Sequence, residues 1–220
     1  MEEHSTWFID VQRLTRDLSV ASGPDNNKWD WLLMQDMLQR VFSNPSQDTR
    51  HYLELIRKPD TDPEATRHML EHFRDDLPRW FEVVMAPALS PAGSIVRHPS
   101  LLRPMLEASG WANVDAVALL MGDSLAGLAR EIGLPLIASQ LAEASATGWL
   151  SSDRVADLNA KLNQTVGQPD TAIRAVVEAT AAYWTLDKAE KAARDILHDA
   201  RTILGRADGE RRPLRVVYDA

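Results

Sequence analysis

Ser124 follows a run of apolar residues in Gly122-Asp123-Ser124-Leu125, and a serine so placed can act as a nucleophile where a base reaches its hydroxyl. Asp195 and His198, three positions apart, have the residue types of an oriented base. A second set lies in Arg67-His68-Met69-Leu70-Glu71-His72. Histidines four apart share one face of a helix and can hold a divalent metal. The same hexapeptide also holds a permanent cation, Arg67, and a group able to move a proton, His72, five positions apart.

Each set resembles the signature of a known family. Gly122-Asp123-Ser124-Leu125 resembles the nucleophile block of the GDSL (SGNH) hydrolases, and Asp195-Ile196-Leu197-His198 resembles their Asp-x-x-His block. Val166-Gly167-Gln168-Pro169-Asp170 is similar to their Gly-x-Asn-Asp block but lacks the oxyanion-binding asparagine. This resemblance implies Ser124 as nucleophile, His198 as base and Asp195 as its orienting acid, on a parallel sheet. His68-x-x-Glu71-His72 looks like the inverted zinc motif of pitrilysin-like peptidases, which implies zinc on His68 and His72 with Glu143 as third ligand. Arg67 and His72 resemble the Arg-polar-x-x-x-His pattern of HEPN ribonucleases, which implies an all-helical, metal-independent enzyme paired through its active sites.

The elements that must position these residues read as helices. The spacing predicts that Gly122 interrupts a buried helix and that Asp123 or Ser124 caps the next, whose Leu125, Leu128, Ala129 and Ile132 face the core. Asp195 and His198 fall inside one long amphipathic helix, KAARDILHDARTILG. On the wheel of residues 63–76, Ala65, Thr66, Met69, Leu70 and Phe73 share an arc opposite Arg67, Glu71 and Arg74. His68 and His72 lie on the border, where surface hydrogen bonds are the ordinary use.

Punctuation fills in the rest. Ser5 or Thr6 is expected to cap a helix through Trp7, Val11, Leu14 and Leu18, broken by residues 23–26. Asn27 is expected to open a helix stopped at Asn44-Pro45, and Ser46 the next. Asp62-Pro63-Glu64 starts a fourth. Residues 80–85 are too short and too uniformly apolar to assign by period, and prolines 87, 91, 99 and 104 divide a loop-rich connection. Beyond it Asn113, Ser151 or Ser152, Asp170 and Thr185 are helix starts, with Gly148 and Gly205 as stops. The carboxy-terminal segment 213–219 reads as a strand that must pair with residues 80–85, with the amino terminus or with another chain. The expected architecture is mainly α, a multi-helix bundle with at most a small edge sheet at 213–219. It forms one compact domain over 1–220, divisible into helical subdomains 1–86 and 100–220 joined by the Pro-rich connection 87–99.

The totals favour binding over catalysis. The net charge of −8 and the absence of a basic stripe argue against a DNA ligand and for a basic protein partner. The lack of cysteine, of a leader-like amino terminus and of a long apolar run points to a cytoplasmic protein without membrane contact, and the Ala- and Arg-rich usage to a bacterial one. No cofactor fingerprint is present. Trp29 and Trp31, two positions apart, cannot share a helical face, so one of them is a candidate interface anchor. The leading expectation is a non-catalytic protein-binding module, an immunity- or antitoxin-type inhibitor of a basic partner. The alternatives are an enzyme of the ribonuclease or esterase kind, or a homodimer made through the carboxy-terminal strand.

Overall fold

The computed structural model describes residues 2–19, 29–39, 45–95 and 97–219. The first half contains β1 (Glu3–Ile9), α1 (Val11–Ser19), α2 (Trp29–Gln39), α3 (Pro45–Arg57), α4 (Pro63–Phe73), α5 (Asp76–Met85), β2 (Leu89–Ile95) and α6 (Leu102–Ala108). Then follow α7 (Asn113–Met121), β3 (Asp123–Ser124), α8 (Leu125–Glu131), α9 (Pro135–Glu143) and β4 (Thr147–Leu150). The chain ends with α10 (Ser152–Gly167), α11 (Asp170–Thr180), α12 (Leu186–Gly209) and β5 (Leu214–Asp219). The mainly α architecture expected from periodicity is present. Among the described residues, no helix is long and apolar enough to cross a membrane.

The chain divides into two compact units, one of residues 1–9, 90–123 and 148–220, the other of residues 10–89 and 124–147. In the first, α12 packs on α10 and α11, and α6 on α7 and α11. Ala189, Ala193, Ile196, Ala200, Ile203 and Leu204 form the buried stripe of α12, where alanines let the neighbouring helices approach closely. In the second unit, α2 and α9 each pack on α3 and α5, and α8 packs on α9. Phe73, Leu77, Trp80 and Phe81 are among its buried side chains.

The sheet is larger than the small edge sheet expected at 213–219. Among the described residues it has five strands in the order β2-β1-β5-β4-β3, so β5 has neighbours on both sides. It runs antiparallel to β1, with Glu3 opposite Asp219 and Phe8 opposite Leu214, and antiparallel to β4, with Leu150 opposite Leu214. One partner is therefore the amino-terminal segment, one of the three anticipated, and the other, β4, was not anticipated. Pairing β5 with another copy would need an edge that its own chain already occupies.

The amino terminus is itself a correction. Residues 3–9 are a strand, because His4, Thr6 and Phe8 alternate buried with more open Glu3, Ser5 and Trp7. The helix begins only after Asp10, whose carboxylate accepts from the Arg13 N–H at 2.8 Å. The spacing of Trp7, Val11, Leu14 and Leu18 had run across that junction.

Residues 80–85 belong to α5. The proline-divided stretch builds β2 and α6. Gly148 lies within β4, not at a helix end. Asn113 is the first residue of α7, with Ala112 at the cap position, and α12 runs through Gly205 to Gly209. The signals at 23–27 and at 44 lie outside the described residues.

Candidate functional site

Ser124 caps a helix. Helix α7 stops at Gly122 (φ 74°), and Ser124, extended at φ −63° and ψ 128°, accepts from the Ala126 N–H at 3.3 Å to open α8. The segment before it, residues 113–121, is helical and not a strand of a parallel sheet, so the geometry of a strand-end nucleophile is missing here.

Asp195, His198 and Asp199 on α12 line a 190 Å³ pit together with Arg97. Asp195 accepts from Lys191 Nζ at 2.9 Å and lies 3.9 Å from Arg97 Nη1. The lysine bond, with lesser help from Arg97 and His198, holds its carboxyl below the usual range. Burial pushes the Asp199 carboxyl the other way. Asp195 is thus spoken for by cations.

On α4, Asp62 caps the helix by accepting from the Ala65 N–H at 2.9 Å, as the sequence predicts. His68 and His72 meet edge to face, with centroids 4.6 Å apart, and His68 Nδ1 lies 3.4 Å from the Tyr52 hydroxyl. Glu143 stands 3.8 Å from Arg74, and Arg67 stands 3.9 Å from Glu71. Arg67 and Glu71 line a 640 Å³ groove with Leu70 and Arg74. Arg67 and His72, five apart, point about 140° from one another round the helix. Among the described residues, no group of three or more His, Asp or Glu side chains is placed to hold a metal ion. Trp29 and Trp31 begin α2, but their side chains lie outside what is described.

Two other features stand out. The first is a charged seam between α7 and α10. Arg154 reaches Asp115 at 2.8 Å, Asp123 at 3.1 Å and Asp157 at 3.2 Å, and Lys161 reaches Asp115 at 2.8 Å and Asp157 at 2.9 Å. The Asp115 side chain is only 13% exposed. The Lys161 hydrogen bond, followed by that of Arg154, holds its carboxyl below the usual range against the opposing effect of burial.

The second is an aromatic corner where α11 gives way to α12. Tyr183 is 69% and Leu186 57% exposed, on either side of half-buried Trp184. The indole is held from two sides, by His98 edge-on at 4.5 Å and by Lys188 Nζ at 4.8 Å from the ring. The helix start at Asp170 gave no sign that α11 ends at Thr180, which leaves Tyr183 and Trp184 in the turn between two helices. The adjacent Tyr-Trp pair before a helix start was the available signal. Arg154, Asp157 and Lys161, at helical spacing, were the signal for the seam.

Compared with known proteins, the chain matches no family model, and it has no significant match among curated proteins or solved structures.

Proposed function

We propose that this protein works by binding another protein, a basic one, through the corner formed by Tyr183, Trp184 and Leu186. The observation that carries the reading is two large exposed side chains flanking an indole that is already locked in place. Tyrosine and tryptophan supply much of the energy of protein interfaces, and an anchor fixed before binding loses little entropy on contact. Exposed Glu178 and Asp187 stand on the flanking helices. The chain's net charge of −8 attracts cationic partners from a distance. The concrete form is an inhibitor of antitoxin or immunity type that covers the working face of a basic protein.

A photoreactive residue in place of Tyr183, with Ser139 as the comparison position, tests this in a lysate of the source cells. The expected result is one cross-linked protein of high isoelectric point, seen from position 183 and not from 139. Unlabelled parent protein should compete for it, while the exposed double variant Tyr183→Ala/Leu186→Ala should not. Competition by that variant as strong as the parent's, an acidic cross-linked protein, or cross-linking only to a second copy, would each overturn the proposal.

A further inference from the structure

A cleft of 370 Å³ opens between the α6–α7 turn and α10, within the range of about 300–1,000 Å³ common to small-molecule sites. Its wall is built rigidly. The Trp111 indole N–H donates to the Thr165 hydroxyl at 2.9 Å, and the Trp111 backbone N–H donates to the Leu106 carbonyl at 3.0 Å. Thr165 is buried, so the indole is fixed from behind.

The charges in the wall cancel. Lys161 and Asp115 both line the cleft, 2.8 Å apart. An anionic ligand would have to draw Lys161 from two carboxylates, and a cationic one would have to displace it. A neutral ligand leaves the pair intact. The remaining polar groups suit a molecule rich in hydroxyls. Gln164 on α10, Gln168 just past its end and Thr171 on α11 line the same cleft. Their side chains make no hydrogen bond to any described residue. Amides and hydroxyls both donate and accept, which is what a hydroxyl needs from its surroundings. An indole provides the apolar face against which the C–H side of a sugar ring packs.

From these features we infer that the cleft beside Trp111 binds a neutral polyhydroxylated molecule of the sugar class. The site is separate from the aromatic corner, and neither proposal depends on the other.

The indole N–H resonance of Trp111, assigned with the Trp111→Phe variant, reports on the site. Methyl α-D-glucopyranoside, N-acetylglucosamine, ribose, sodium sulfate and spermidine are each titrated into the intact protein. The expected result is a saturable shift with at least one of the three sugars, at a Kd of about 1 mM or tighter, and none with sulfate or spermidine. In Gln164→Ala/Gln168→Ala, whose replaced side chains are exposed, the sugar should bind about tenfold more weakly at an unchanged Tm. A flat response to all three sugars overturns the inference. So does a saturable shift with sulfate or spermidine alone, or undiminished sugar binding in the double variant.

Discussion

At the scale of single residues, some groups of suggestive chemistry have a part in the fold. Ser124 is the plainest case, because its hydroxyl meets an orphan N–H at the start of α8. Ser124→Ala should lower stability by about 0.5–1 kcal/mol in urea unfolding and leave the binding of a protein partner unchanged. A larger functional than structural loss would reinstate it as a reacting group. His4 is a less obvious case, a strand residue 2% exposed whose Nε2–H donates to the Leu119 carbonyl at 3.3 Å. Its Nδ1 has no partner among the described residues, and the cavity beside it is walled by Thr6 and apolar side chains. Tyr218, opposite it on β5, has its phenol pushed up by burial and stays neutral throughout. Burial pulls the His4 pKa below 6.5, so the unfolded chain binds the proton more readily than the folded one. Stability is therefore full above pH 6.5 and falls as the pH drops from there toward the depressed value, by at most about 1.4 kcal/mol per pH unit. Denaturant midpoints measured across this window should fall in the parent and flatten in His4→Leu.

Between elements, two close approaches set the geometry. A Cβ on Gly122 would lie 2.5 Å from the Gly148 Cα, and one on Gly148 (φ +118°) would collide with the Arg215 guanidinium and lie 2.5 Å from the Val216 carbonyl oxygen. Gly148→Ala should cost about 2–5 kcal/mol, from strain in φ together with overlap, visible as a lowered urea midpoint. The seam is a second fastening. Arg154→Ala strips the largely buried Asp115 of one cation and should cost about 1–2 kcal/mol, reduced by the remaining Lys161 bond and by solvent. Salt should shrink the difference.

Legibility in the sequence followed the same physics. Helices announced by side-chain oxygens, at Asp62 and Ser151, and by apolar stripes, in α10 and α12, were readable because those signals are local. Strand β1 was not, since its alternation covers only seven residues and abuts a helix whose period continues the apolar spacing. The brevity of β3 and β4 hid them equally, for two and four residues carry no period. Of the sites, the Asp195–His198 juxtaposition was visible in the letters, while Arg97 joins them only through the fold.

Over the whole molecule, charge bears on the proposed binding of a basic partner. With a net −8, association with a basic partner should slow as ionic strength rises, whereas dissociation should respond mainly to Tyr183 and Leu186. Stopped-flow rates at several salt concentrations separate the two. The pairing of β1 with β5 bears on how the molecule comes into being. Glu3 lies opposite Asp219, so a ribosome releases the first strand long before β5, one of its two hydrogen-bonding neighbours, exists. Until then one edge of residues 3–9, the edge not taken by β2, presents unmatched backbone groups to whatever else is in the cell, and joining strands so remote in sequence costs chain entropy that helix–helix neighbours avoid. Synthesis halted before residue 214 should accordingly leave a nascent product that seeks chaperones or self-associates.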